Sequence, residues 1–186
     1  WPDTPADQCK NGPLVLRAIG GIPRTVTMAR IPAASRTRGA LAEKAFKTWL
    51  DRTRLGYMIV DQTPFTVPIT ASKVKRPDFL VGILDHMVAV DVKGRDLFDG
   101  HGIIEIDEYD GFHFFQRYFG LTVWYAWYPD HEHDVALLFR NTDIRASHRK
   151  RLKGREVCAI PVDAMSQCRP FDEGFDYALF VASCEG

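Results

Sequence analysis

Two aspartates and a lysine stand out in the stretch Arg76-Pro-Asp-Phe-Leu-Val-Gly-Ile-Leu-Asp-His-Met-Val-Ala-Val-Asp-Val-Lys-Gly-Arg95. It reads as a buried β-hairpin, yet Asp78, Asp91 and Lys93 occupy positions where apolar residues would cost less. With Asp85-His86 as a two-residue turn, Leu80 falls opposite Asp91 and Asp78 opposite Lys93. Side chains alternate along a strand, so the three charged groups share one face and Val88, Val90 and Val92 fill the other. The inference needs a loop of even length, because a three-residue loop would break the parity.

Burying neighbouring carboxylates on a sheet costs on the order of several kcal/mol each unless something compensates them. A divalent cation does so. Hard oxygen donors with few nitrogens or sulfurs suit Mg²⁺ or Mn²⁺, and Mg²⁺ typically uses one or two carboxylates while keeping waters and accepting substrate phosphate. The main-chain carbonyl of Val92, between the acid and the lysine, is a further candidate ligand. Lys93 adds a cation that could orient or deprotonate an attacking water and stabilise charge developing on phosphorus. Glu43 completes an acidic triad if its helix packs over the same strand end. The competing reading is an ordinary Asp78–Lys93 cross-strand ion pair with Asp91 solvated at a sheet edge.

These side chains need elements to hold them. From Ser35 or Thr37 as N-cap, residues 39–50 have helical periodicity, with Leu41, Ala42, Ala45, Phe46, Trp49 and Leu50 in one apolar stripe and an end near Gly56. Strands are expected at Tyr57 to Val60, Phe65 to Ile69, Phe79 to Leu84 and Met87 to Lys93, followed by a loop containing Gly94, Gly100 and Gly102. A second helix covers Glu108 to Phe119 and stops at Gly120. Leu121 to Tyr128, Val135 to Phe139, Glu156 to Ile160 and Tyr177 to Ala182 read as strands, with a short helical turn after Pro161. Helices and strands without regular βαβ alternation indicate an α/β (α+β mixed) domain. Residues 1–34, rich in proline and glycine with a β-like run at Thr25 to Met28, read as an irregular lead-in wrapping the domain.

The chain has 186 residues, enough for one domain with a real core, and is 46% hydrophobic and 12% aromatic. No apolar run is long enough for a membrane span. Basic and acidic residues number 24 each, so overall charge makes no case for a polyanionic partner. Distribution does: Lys73, Lys75 and Arg76 form one basic group, and Arg149, Lys150, Arg151 and Lys153 lie in the densest run, His148 to Arg155. Cys9, Cys158, Cys168 and Cys184 lack zinc-site spacing and read as buried thiols. His131-Glu-His133-Asp134 reads as a solvated turn. His101 is a weaker candidate for the open end of the hairpin. Trp124, Tyr125, Trp127 and Tyr128 alternate on one strand, so that half should be core; the other half could stack on bases, and packing under the C-terminal tail explains them equally well. A first residue other than Met suggests a domain excised from a larger protein or a processed product.

Pro77-Asp78 followed by Asp91-Val92-Lys93 resembles the PD-(D/E)xK motif of the restriction-endonuclease-like nucleases, and residues 35–128 match that family's order of helix, strand, hairpin, helix and strand. The resemblance implies a restriction-endonuclease-like core, a central mixed β-sheet flanked by helices within a domain spanning 35–186, with a β-rich extension at 129–186. It implies metal-dependent phosphodiester hydrolysis, with Asp78 and Asp91 as ligands of Mg²⁺ or Mn²⁺, Lys93 as charged helper and Glu43 as accessory ligand. Gln116 resembles a polar residue that several branches place near the site, although Gly120 stands where a RecB-like nuclease would have tyrosine. The function expected is a DNA nuclease of repair, recombination or restriction, or a toxin domain acting in the cytoplasm of another cell with an immunity partner; a homodimer is also consistent. The alternative is a catalytically inactive nucleic-acid-binding module of the same fold. The basic residues Lys73, Lys75, Arg149, Lys150, Arg151 and Lys153 are the expected phosphate contacts, and alanine at Asp91 or Lys93 is expected to leave the fold intact.

Overall fold

The computed structural model describes residues 33–62 and 74–185. The lead-in with its Thr25 to Met28 run, the Phe65 to Ile69 strand, Cys9 and Lys73 lie outside the described residues.

Helix α1 (Ala33–Thr53) begins earlier than its expected caps, so Ser35 and Thr37 are inside it. Ala33 and Ala34, strong helix formers, extend it by part of a turn. Ala42, Phe46, Trp49 and Leu50 are buried at the spacing of one helical face. Leu41 is half exposed and stands outside that stripe. Strand β1 (Tyr57–Ile59) leads to the hairpin β2 (Phe79–Ile83) and β3 (His86–Gly94). Then come β4 (His101–Glu105) and α2 (Ile106–Phe119), the latter stopped by Gly120 in a left-handed conformation, φ 67°.

Strands β5 (Val123–Tyr128), β6 (Ala136–Arg140), β7 (Arg149–Leu152), β8 (Arg155–Pro161) and β9 (Ser166–Cys168) follow, and the chain closes on helix α3 (Phe175–Glu185). One six-stranded sheet has the order β1-β2-β3-β5-β6-β9 and a second, three-stranded sheet the order β4-β8-β7. In the larger sheet β3 pairs parallel with β5, whereas β2 with β3 and β5 with β6 are antiparallel. This is a mixed sheet in which helix, strand, hairpin, helix and strand follow in the order expected from the sequence, with β4 added before α2.

The sheet is apolar on both faces. Phe46, Trp49, Phe79, Val81, Val90 and Phe175 join α1 and α3 to one face, while Ala89, Ile104, Phe112, Phe115, Tyr125 and Ile160 join α2 and the second sheet to the other. Being central and covered on both sides, β5 buries all four of its aromatic rings, so none of Trp124, Tyr125, Trp127 and Tyr128 is open to stack on a base. Tyr177 to Ala182 is helical rather than a strand. Phe175, Ala178, Leu179 and Ala182 are buried, a spacing of one, four, five and eight along the chain that a strand could not present on one face. The expected loop after β3 contains β4, which pairs with β8 far along the chain. The extension is therefore strand-rich but ends in a helix. Cys158 and Cys168 are buried and unpaired, whereas Cys184 is exposed. Among the described residues no helix is long and apolar enough to cross a membrane.

Candidate active site

The hairpin turn is Leu84-Asp85, with Ile83 opposite His86 and Phe79 opposite Val90. Each strand residue thus meets a partner two positions earlier on β3 than the Asp85-His86 turn would give. Asp78 is not opposite Lys93. The displacement is even, so the parity survives: Asp91 and Lys93 point to the α2 side, while Val88, Val90 and Val92 join the α1 side. Leu84 takes a positive φ of 54° at the turn, a conformation that costs a branched residue energy.

Beyond the last ladder pair, the Asp78 amide donates to the Val90 carbonyl at 3.0 Å and the Val92 amide donates to Asp78 Oδ2 at 2.8 Å. These two bonds bracket Asp91 and fix the Asp78 carboxylate beside it. Burial first, and the Asp91 charge second, push the Asp78 carboxyl up to about 7, against the opposing influence of the Val92 N–H and Lys93. Glu43, at the exposed rim on α1, also has a raised pKa, from partial burial and then from Asp91, partly offset by Lys93. The charges of Asp91 and Lys93 thus reach Glu43 on α1.

Asp91 and Lys93 are 1% and 7% exposed. The Lys93 ammonium contacts Asp91 Oδ2 directly and lies 2.8 Å from Glu108 Oε1. From the sequence, Glu108, in the first turn of α2, marks only the start of a helix. Phe112 and Phe115, packed on Tyr125 and Ala89, lay α2 across the β3–β5 face and so deliver Glu108 to Lys93. A Glu108 with Phe112 at i+4 was the available signal, but a first-turn acid is equally what helix capping favours. Burial alone would lower the Lys93 pKa; the carboxylates of Asp91 and Glu108 outweigh it and raise it. For Glu108, burial acts upward, but Lys93 and Lys75 prevail and hold it at about 2.

Lys75 joins the same cluster, 2.7 Å from Glu108 Oε1 and 3.6 Å from Asp91 Oδ1, so its ammonium faces carboxylates. Gln116 stands apart from the cluster: its Oε1 accepts the Val123 amide at 2.9 Å, tying α2 to the start of β5. His101 lies on β4 beside Lys150, its Nε2 3.5 Å from the ammonium. His131, Glu132 and Asp134 are exposed in a turn, as expected, and His133 packs its ring against Tyr128.

The basic run forms β7 and, through the positive-φ pair Lys153 and Gly154, turns into β8 as a hairpin. Arg149, Lys150, Arg151 and Lys153 are exposed. Arg149 also lies over the Tyr109 ring and 4.0 Å from Asp110 of α2.

The core keeps the order of helix, strand, hairpin, helix and strand expected from the sequence. No protein-family model matches the chain, and no curated protein does. Among solved structures, the chain is similar to Hjc, a Holliday junction resolvase from the archaeal hyperthermophile Archaeoglobus fulgidus, at 15% identity and a TM-score of 0.47, over 80% of this chain and 100% of that one.

The Asp78 shift has a thermodynamic consequence. Its carboxyl ionises near pH 4 in an unfolded chain but at about 7 in the fold. The folded state thus holds the extra proton between those values, and its stabilisation is complete below pH ~4 and lost as pH rises through 7. Glu43 acts in the same direction. Glu108 has the opposite sign, but its shift acts only below its ordinary range, and Lys93 matters only above pH ~10. Metal-free protein should therefore lose stability between pH 5 and 8, with Asp78 accounting for on the order of 1–3 kcal/mol. Denaturant unfolding of the parent and Asp78→Asn across that range checks this: the variant should have the flatter profile, and identical profiles would show that Asp78 is ordinary.

Proposed function

We propose that the chain is a divalent-metal-dependent DNA nuclease that hydrolyses phosphodiester bonds at the Asp78, Asp91 and Lys93 cluster. The observation that carries this reading is the bracketing of Asp91 by Asp78, whose own ionisation is held back to about 7. Burial is the main cause of that raised value and the neighbouring Asp91 charge the second, so a cation held between the two carboxylates would relieve their repulsion. Asp91 Oδ2 and Glu108 Oε1 also lack a well-directed hydrogen bond, although ammonium groups lie close to both.

Among the described residues no ready group of three carboxylate, histidine or cysteine side chains converges as a metal cage. Mg²⁺ or Mn²⁺ needs only one or two carboxylates with waters and phosphate oxygens, so the donor set fits. Asp78 and Asp91 would hold the ion, with the Val92 carbonyl and Glu43 as further oxygen donors. When bound, the ion supplies Lewis acidity and a more acidic attacking water.

Lys93 supplies a fixed positive charge. Its raised pKa keeps it an ammonium at neutral pH, which suits it to stabilising charge that develops on phosphorus and to orienting water, and unsuits it to taking a proton. Its two carboxylate contacts hold that charge at one place on β3. Glu43 at the rim can accept a hydrogen bond from an incoming water. Gln116 works through the scaffold.

The exposed β7–β8 hairpin supports DNA as the polyanion: it presents the exposed side chains of Arg149, Lys150 and Arg151 on the strand and of Lys153 in the turn. Replacing Lys150 and Lys153 with glutamine should weaken DNA binding and flatten the dependence of log affinity on log salt by about 0.9 per lost duplex contact. Fluorescence anisotropy over a salt series reads the slope, and an unaltered slope would assign the hairpin to another role. A delivered toxin with an immunity partner draws no support from the cluster.

Supercoiled, linear and single-stranded DNA incubated with Mg²⁺ or Mn²⁺, against an EDTA control, test the function. Metal-dependent cleavage supports the nuclease. Binding without cleavage would establish the inactive module of the same fold, and absence of both would remove nucleic acid from the reading.

A further inference from the structure

The two lysines of the cluster are not equivalent. Lys93 is on β3, its side chain 9% exposed, and it touches both carboxylates closely. Lys75 comes from the irregular segment before β2, with its side chain 34% exposed. Its ammonium is 2.7 Å from Glu108 Oε1 but only 3.6 Å from Asp91 Oδ1. It also lies 4.8 Å from the centroid of the Phe112 ring, and the Lys75 amide donates to the Gly111 carbonyl at 3.2 Å. Its backbone and its stronger ionic contact are thus both on α2, and the longer reach to Asp91 is the contact it could give up.

The two oxygens of Asp91 are divided accordingly, Oδ2 to Lys93 and Oδ1 to Lys75. A cation entering from solvent would meet the Oδ1 side, where the resident charge is more exposed and farther away. We propose that Lys75 is a resident counter-ion of the metal site: it neutralises Asp91 when no metal is bound, and it yields Asp91 Oδ1 to an arriving divalent cation while Glu108 retains its ammonium. Released from Asp91 but held by Glu108, the Lys75 charge stays at the mouth of the site, facing the side from which a phosphate would come. This inference rests on the metal-site reading above.

In this arrangement Glu108 and Lys75 act on metal binding with opposite signs. Removing the Lys75 charge takes away a competitor for Asp91. Removing the Glu108 charge leaves both lysines to Asp91 alone and strengthens the competition. Damage to packing would loosen the site in either case and weaken metal binding in both.

The test is a Mn²⁺ titration of the full chain without DNA, by calorimetry, for the parent, Lys75→Met, Lys75→Gln and Glu108→Gln. Both Lys75 variants should bind Mn²⁺ on the order of tenfold more tightly and the Glu108 variant more weakly, as expected when one charge is altered beside a partly shielded carboxylate. Reductive methylation of the parent, read by mass spectrometry, separates release of Lys75 from a general change of field: the Lys75 amine should react faster with Mn²⁺ present than without it. A parent that binds Mn²⁺ while folded Lys75 variants bind it no better, or while Lys75 reactivity is unchanged, overturns the counter-ion role and leaves the metal site standing. A folded parent that binds no divalent cation overturns both.

Discussion

Asp91→Asn should reduce Mg²⁺-dependent cleavage of DNA by on the order of a thousandfold or more, since an immobilised charge at a reacting centre is worth that much and the metal loses a ligand with it. Binding of DNA without metal should persist or improve, because a negative charge facing phosphate is gone. Lys93→Met should bring a comparable loss of turnover with metal binding retained. Lys93→Arg should not restore full activity, as a planar guanidinium cannot occupy the place of a compact ammonium between Asp91 and Glu108. The sequence leads to the expectation that alanine at either position leaves the fold intact; the structure adds a cost in stability. Asp91 is 1% exposed and lies between two ammonium groups, so its loss leaves buried charge less well compensated and should cost about 1–3 kcal/mol. Asparagine and methionine, close in volume to the originals, are therefore the variants in which chemistry and folding separate. Nicking of supercoiled DNA, metal affinity and denaturant unfolding, measured side by side, check all three. Parent-like cleavage by a folded Asp91→Asn or Lys93→Met protein would reduce the cluster to a structural ion network.

Gly94→Ala should be the most damaging single-methyl addition near the site. At Gly94, where β3 ends, a Cβ would lie 2.6 Å from the main-chain oxygen of Arg38 and 2.9 Å from the Ala42 Cβ, both on α1. Helix backbone does not swing aside as a flexible side chain does, so the helix and strand must part. Overpacking of this kind costs about 1–3 kcal/mol, and occasionally more. The same close approach places the helix that bears Glu43 beside the strand that bears Asp91 and Lys93. Gly94→Ala should thus lower the denaturation midpoint and also weaken any contribution of Glu43 to metal binding, whereas Gly39→Ala, on α1 with open space at its Cβ, should be neutral or slightly stabilising. Chemical unfolding and Mn²⁺ titration of the two variants make the comparison. Equal stability of the two would mean that the strand end does not set the position of α1.

Much of the site follows from local rules. Asp91 and Lys93 share a face because alternation is a property of the extended backbone, whatever the strand packs against. Gly120 ends α2 because a left-handed residue is cheapest without a Cβ. Register, partners and burial follow from other causes. Whether Leu84-Asp85 or Asp85-His86 makes the turn depends on how whole strands pair, and both choices keep the valines on one face; the choice nevertheless decides whether Asp78 meets Lys93 or brackets Asp91. Tyr177 to Ala182 has apolar residues enough for either strand or helix, and the packing of Phe175 and Ala182 against the sheet settles it as helix. The sequence by itself determined that two acids and a lysine stand together on a hairpin, through the period of the strand. Only the tertiary structure decided that Glu108 and Lys75 join them, because those contacts exist through the docking of α2 on the β3–β5 face, and no local periodicity encodes where one element lands on another.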